Sequence, residues 1–420
     1  MRSHVVMGNT TPENEKRLDS GERRILLVTC FGHFMSHFNM LVFPALLIPL
    51  ATRLSTSMGT TLGLSFWMYL LFGVTALPWG VVADRVGAKP LMLTFYLGAG
   101  FSGLSAALLL DTPLYFSLSL AGLGLFSGIY HPTGLGLISK EVRRVSMAMG
   151  YNGMFGNLGL AVAPLLAGLM NWLWGVRVAY CIVGLMNLTG LGLTLLISTT
   201  SKGEPRKRQP EPNTQSIMPF FILLIAMMLG GLAYRGATVI LPAYFELKTP
   251  VLFEFLSKRL SGTLSTNLVA TSISALIYFV GILGQYSGGR VAEKYEPKYC
   301  YLLYHAVTIP IAFLISLSSN LPLVAATMTY FFFLLGMQPI ENTLVANLTP
   351  KKFHHSAFGM KFILTFGVGS LAVKIIQRIE NQWGIEATFI CIGFISMGLV
   401  ATIFVLLAST RNRPRSCSAQ

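Results

Sequence analysis

"GVVADRVGAK", residues 80–89, sets two cations, one acid and two glycines between long apolar runs, and a related stretch, "GRVAEKYEPK", recurs at 289–298. A shift of 209 residues pairs Gly80 with Gly289, Asp84 with Glu293, Arg85 with Lys294 and Lys89 with Lys298. The same shift pairs Pro113 with Pro322, Gly150 with Gly359, and "WGVRVAY" from Trp174 with "WGIEATF" from Trp383. Agreement at one offset from Gly80 to Trp174, with only local slips, indicates a duplicated chain whose halves share one orientation.

The surroundings of both copies are apolar. Of the 420 residues, 53% are hydrophobic and 11% charged, whereas soluble domains carry about 25% charged residues. A bilayer core about 30 Å thick takes roughly 20 apolar residues in helix. Twelve such runs occur, at 25–50, 61–83, 91–110, 114–138, 147–171, 178–198, 217–245, 266–289, 299–318, 321–348, 356–376 and 387–408. The expected fold is an all-α membrane protein with twelve transmembrane helices in two pseudo-symmetric six-helix halves, 25–198 and 217–408. They are joined by the Pro-rich, charged linker 199–216 and flanked by polar tails 1–24 and 409–420. The first apolar run is too long for a cleaved leader, so none is expected.

The net charge of +15 would fit a nucleic-acid binder only if the basic residues gathered on a soluble domain. Instead they follow topology. With both termini cytoplasmic, inner segments hold 22 of the 31 Lys and Arg, against six outside, namely Arg53, Arg177, Lys248, Lys258, Arg259 and Arg378. Positively charged loops stay in the cytoplasm, so the chain is expected to lie in the plasma or inner membrane with this orientation, its cations facing lipid headgroups and not nucleic acid. Cys30, Cys181, Cys300, Cys391 and Cys417 show no CxxC spacing, so neither a disulfide framework nor a zinc site is expected. No complete nucleophile and base pair and no cofactor motif appear, which argues against an enzyme.

The loop 80–89 matches the GxxxDRxGxK/R signature of the major facilitator superfamily, which the whole chain resembles. The resemblance implies a secondary transporter with a site between its halves near mid-membrane. It also implies a cytoplasmic gate formed by Gly80, Asp84, Arg85, Gly87 and Lys89, with a degenerate copy at Gly289, Glu293 and Lys294. Asp84 is then expected to face the start of the eleventh span, whose dipole favours an acid. Arg85 and Lys89 also serve as positive-inside anchors. "GHFMSHFNMLVFPALLIPL" from Gly32, with "GIYHPTGLGLIS" from Gly128, is similar to the fosmidomycin-resistance-like efflux group, although His37 stands where that group commonly has an acid.

The same resemblance assigns spans one, four, seven and ten to the central path. Ionisable residues at bilayer depth cost about 2.5–3.5 kcal/mol on insertion scales and mark function by default. His33 and His37 lie in span one, His131 in span four, Arg235 in span seven and Glu341 in span ten. His33 and His37 share a helix face and carry protons near physiological pH; the alternative for each is a neutral imidazole bonded between helices. Their HxxxH spacing lacks the metalloprotease Glu and any obvious third ligand, so no metal site is expected. Gln338 precedes Pro339 nearly where His131 precedes Pro132, and such paired interruptions point to a binding site. Lys361 is expected to snorkel toward the cytoplasm. Gly150, Gly153, Gly156 and Gly159 suggest close packing, with Asn157 a secondary candidate for the path.

Together these features predict alternating-access transport of a small anionic or polar compound by a monomer without cofactor. Arg235 would contact substrate while Glu341 and the histidines exchange protons. Export by proton antiport is preferred, and import of an organic anion is the alternative. A transport-inactive scaffold is the reading from another class. Its one candidate feature is loop 246–265, long enough for a short amphipathic helix.

Overall fold

A computed structural model of the protein describes residues 18–197, 217–259, 264–349 and 354–410. The linker expected at 199–216 and most of both tails lie outside these residues. Within them every regular element is a helix, as a bilayer requires of a chain that must satisfy its own backbone groups.

The first half runs α1 (Ser20–Ala45), α2 (Leu47–Leu54), α3 (Met58–Gly63), α4 (Phe66–Val74), α5 (Ala76–Val86), α6 (Ala88–Leu108), α7 (Pro113–Ser127), α8 (Tyr130–Glu141), α9 (Val145–Trp174) and α10 (Val176–Thr194). The second runs α11 (Met218–Lys248), α12 (Pro250–Arg259), α13 (Thr266–Lys294), α14 (Pro297–Leu317), α15 (Asn320–Leu348), α16 (His354–Phe362), α17 (Leu371–Trp383) and α18 (Glu386–Thr410). Eleven spans are long and apolar enough to cross a bilayer, or twelve with the pair Leu47–Leu54 and Met58–Val74, bent by 108°.

The spans depart from the expected uninterrupted runs in three places. The second is assembled from α3, α4 and α5. The fourth breaks at Gly128 and Ile129, just before His131 and Pro132, whereas α15 continues through Pro339. The eleventh passes from α16 through a π-helical stretch, Ile363–Gly367, and a 3-10 turn, Val368–Ser370, before α17 resumes. Wide turns of this kind recur at functional sites.

Without a hydrophobic drive between helices in lipid, small residues let backbones approach. Gly103 meets Gly184 between α6 and α10, and Gly288 meets the Gly336 carbonyl between α13 and α15. The duplication is visible in the packing too. Gly80 lies against Pro132, with 3.3 Å left for an added Cβ, and its counterpart Gly289 lies against Pro339 at 3.9 Å. Buried tyrosines close the interior by bonding carbonyls freed elsewhere: Tyr69 Oη donates to Met40 O at 2.8 Å and Tyr244 Oη to Ile315 O at 3.2 Å.

The halves touch unevenly. At the face away from Ser20, Ser57 Oγ bonds Asn381 Oδ1 at 3.0 Å, Asn171 Nδ2 bonds Asn267 Oδ1 at 3.0 Å, and Asn267 Nδ2 reaches Ala45 O at 2.9 Å. Contact between α9 and α13 descends through Gly168 on Thr271 to Asn157 on Gln285. Gly150 and Gly153 lie on the same face of α9, further toward the Ser20 end, yet meet nothing within 4 Å. The bundle is thus sealed at one face, while α9 draws away from the second half toward the other, the face that carries the basic loops, where Gly359 of α16 still faces Leu77 of α5 with 3.5 Å left for an added Cβ. The glycine series divides accordingly. Gly156 and Gly159 admit His33 and the Phe34 backbone of α1, as close packing predicts, whereas Gly150 and Gly153 border the open side.

At the sealed face, Asp111 accepts from Arg53 Nε at 2.7 Å and from Arg177 Nη2 at 2.7 Å, tying three loops together. The two guanidiniums hold its carboxyl below its ordinary range. Loop 246–265 does form a short helix, α12, tethered by Val251 and Leu252 N–H groups to Asn320 Oδ1.

Candidate functional site

Three groups of buried polar side chains stand out, the first two where the halves meet and the third inside the second half. The first is histidine-rich. Gly32 and Gly134 leave room for the Tyr130 ring, and Gly156 leaves room for His33. His33 stacks on Tyr130 with centroids 5.1 Å apart, and His33 Nδ1 lies 2.8 Å from the Asn152 carbonyl. A carbonyl only accepts, so Nδ1 carries the hydrogen and Nε2 presents its lone pair. That lone pair meets His37 Nε2 at 3.1 Å. His131, 6% exposed, stands edge-on to both imidazoles at 5.2 Å, and one ring nitrogen from each of the three lies within 4.8 Å of the others. Phe72, Phe362 and Phe366 ring His131, the latter two from the second half.

The second group centres on Arg235, well inside α11 and 3% exposed. Its guanidinium sits 4.0 Å over the Tyr69 ring of the first half, and its Nε has no partner. No carboxylate lies within ion-pair reach of it among the described residues. Tyr69 and Phe72 are three residues apart on α4, a rise of about 4.5 Å, so the guanidinium and the histidine cluster border neighbouring positions of that helix. Between the halves, Asn157 Nδ2 donates to Gln285 Oε1 and Gln285 Nε2 donates to Gln338 Oε1 at 2.8 Å, a chain of amides crossing from α9 to α15.

The third group corrects one expectation. Lys361 does not snorkel; it is 9% exposed, and its Nζ lies 2.7 Å from Glu341 Oε1 and 2.6 Å from Asn342 Oδ1. Glu341, 2% exposed, also accepts from Tyr301 Oη at 3.0 Å. Both of its oxygens are therefore engaged away from Arg235, and the deep acid is neutralised within its own half. His305 packs edge-on to Tyr301 at 4.6 Å with its Nε2 unpartnered. Sequence reasoning passed over Gln285 and Tyr301, because neutral polar side chains in a span carry little signal until a partner is known; His305 is ionisable and within a span, but it was missed because it lies on span nine, outside the four spans assigned to the path.

Asp84 is largely exposed, and its carboxylate lies 3.1 Å from Lys140 of the same half; residues 350–353, before the eleventh span, lie outside the described residues. Lys89 Nζ donates to Ile197 O at 2.6 Å, and Gly87 adopts φ +86°, a turn that only glycine takes without strain. Arg85, Glu293 and Lys294 are exposed. The loop braces its own half.

A duplicated bundle with a buried guanidinium and three imidazoles where its halves meet has the architecture of a secondary transporter. The chain belongs to the Major Facilitator Superfamily, whose family model matches residues 29–373; it is a multi-pass membrane transporter and not an enzyme. Among curated relatives it is 34% identical over 137 residues to the multidrug resistance protein MdtG of Serratia proteamaculans, an alignment covering 32% of this chain and 33% of that protein. It thus spans about a third of that relative's length. It is 20% identical to the multi-drug resistance efflux pump PmrA of Streptococcus pneumoniae, over 88% of this chain and 93% of the pump. The fold is similar to a bacterial homologue of the human lysosomal transporter Spinster in an inward-facing, unoccupied conformation (TM-score 0.70, 14% identity, 95% and 100% of the chains). It is also similar to the peptide transporter POT in complex with sulfate (TM-score 0.72, 14% identity, 92% and 94%).

Proposed function

We propose that the protein exports a small anionic compound across the cell membrane by alternating access, in exchange for protons, with both termini in the cytoplasm. The observation that carries this reading is Arg235. A guanidinium does not lose its proton, and a buried charge without a partner is strongly disfavoured. A cation held on an aromatic face, with one N–H unsatisfied and no acid beside it, is a site prepared for an anion that arrives and leaves. The amide chain Asn157, Gln285 and Gln338 supplies neutral donors and acceptors across the contact between α9, α13 and α15, and the three histidines and the Glu341–Lys361 pair supply titratable groups. The export direction is supported by the efflux names of MdtG and PmrA. The basic face, where α9 draws away from the second half, would admit substrate from the cytoplasm.

The test is transport in proteoliposomes, screening matched anionic and neutral compounds with and without an imposed pH gradient. Hydrogen bonds to charged groups contribute about 1.5–3 kcal/mol, so Arg235→Ala is expected to lower transport of the anion by roughly 10- to 150-fold. Arg235→Lys keeps the charge but loses the planar fork, and should recover only part. His37→Ala should change the pH dependence while leaving some anion binding. Equal loss for anionic and neutral compounds, or none for either, would overturn the anion reading. Transport driven only inward by the gradient would reverse the direction.

A further inference from the structure

We infer that His33, His37 and His131 form a binding site for a borderline divalent transition-metal ion of the Zn²⁺ class, set where the two halves meet.

Zn²⁺ binds imidazole nitrogen at about 2.0–2.1 Å, which places two ligands of a tetrahedral ion about 3.3 Å apart. His33 Nε2 and His37 Nε2 stand at 3.1 Å without any adjustment. The third nitrogen, on His131, is at most 4.8 Å from the others, a distance that a side-chain rotation closes. The tautomer of His33 is already the one a metal needs. Its Nδ1–H is taken by the Asn152 carbonyl, which leaves Nε2 free to ligate. A backbone carbonyl on the second nitrogen is the usual device for orienting a metal-bound imidazole. Asn152 is itself fixed, since its Nδ2 donates to Tyr130 Oη at 2.6 Å. In the metal-free state His37 donates from Nε2 to His33; on binding, that hydrogen moves to Nδ1 of His37 or to solvent.

The ligand set selects the ion. Three imidazoles with no carboxylate suit Zn²⁺, Cu²⁺ or Ni²⁺ and not the hard cations Mg²⁺ or Ca²⁺. Three protein ligands leave a fourth position open. The closest fixed charge along α4 is the Arg235 guanidinium, so a divalent ion here adds to a positive field. The fourth ligand is therefore an anion, and metal and anion bind better together than apart. Phe362 and Phe366 cover His131 from the eleventh span, so the site is dry on that side, and movement of that span would change access to it. This site stands on the imidazole geometry alone and does not depend on the identity of the transported compound.

The experiment titrates full-length protein in detergent with Co²⁺ in chloride buffer, following the visible absorption of tetrahedral cobalt, and then displaces it with Zn²⁺. One equivalent is expected per chain. His33→Gln, His37→Gln and His131→Gln should each abolish the band and weaken Zn²⁺ affinity by more than roughly 100-fold, beyond the range seen when only outer partners are removed. His305→Gln, at a ring that packs on Tyr301 outside the cluster, should leave both unchanged. His131→Cys, which restores a ligand, should recover binding and add a thiolate-to-cobalt charge-transfer band; this variant reports even where His131→Gln fails to fold. Wild-type protein that binds no Co²⁺, or binding that survives in all three cluster variants, overturns the inference.

Discussion

Glu341→Gln is expected to destabilise the transporter by about 3–5 kcal/mol, because it leaves the Lys361 ammonium buried without its counter-ion. Lys361→Met should do the same by stranding the carboxylate, with only Tyr301 left to bond it. Removing both charges is a different experiment. Replacing a buried ion pair by apolar groups of similar size is often neutral or stabilising, so Glu341→Gln combined with Lys361→Met should melt near wild type. The cycle therefore measures coupling between the two sites directly. The same double variant separates structure from mechanism. If the pair opens to take up a proton during transport, the double variant will fold and still bind substrate, but its transport will no longer respond to a pH gradient. A double variant that melts normally and remains fully gradient-driven would restrict Glu341 and Lys361 to holding α15 and the eleventh span together.

The pair also shows where sequence reading stopped. The fold was legible because hydropathy and the repeat at a 209-residue offset both act over long stretches, where chance agreement is small. The candidate residues were legible one at a time, since any ionisable group in a span stands out against its insertion penalty. Their partners were not. Lys361 was assigned to the headgroups because depth along its own helix favoured snorkelling, and nothing in the linear order placed Glu341 of another helix within 2.7 Å. His131 was unavailable as a third partner for His33 and His37 for the same reason: α1 and α8 meet only in three dimensions. Asp84 was legible only through the family pattern, and its Lys140 partner was not, because that residue lies 56 positions away in the chain. The glycines that matter most could not be picked from 41 in the chain, because a close approach depends on what lies opposite.

Gly73 is the strongest example, and substitution there is expected to move the transporter between its states. A Cβ on Gly73 would overlap the backbone of Phe366 and Gly367 in the π-helical stretch of the eleventh span, and main chain cannot turn aside as a flexible side chain can. The contact belongs to the seam between the second and eleventh spans, which continues toward the sealed face with Gly63 on Gln377 and Gly59 on Glu380 and Asn381. A larger residue must therefore part the halves along this seam or strain one of the two helices. Overpacking costs about 1–3 kcal/mol. If that strain falls on one state only, it changes the ratio of the two by roughly 5- to 150-fold. Gly73→Val should accordingly favour the arrangement open at the now-sealed face. Spin labels at Thr60 and Arg378, both exposed near the far end of the seam, would report this as a second, longer distance population in double electron–electron resonance. Substrate exchange should slow, since one state is disfavoured. Gly150→Ala is the control: its Cβ meets open space toward the basic face, so both the distance distribution and the transport rate should stay at wild-type values. An unchanged distribution in Gly73→Val, with the protein folded, would mean that the asparagine contacts at the sealed face hold the halves together and that the glycine seam only permits them to meet.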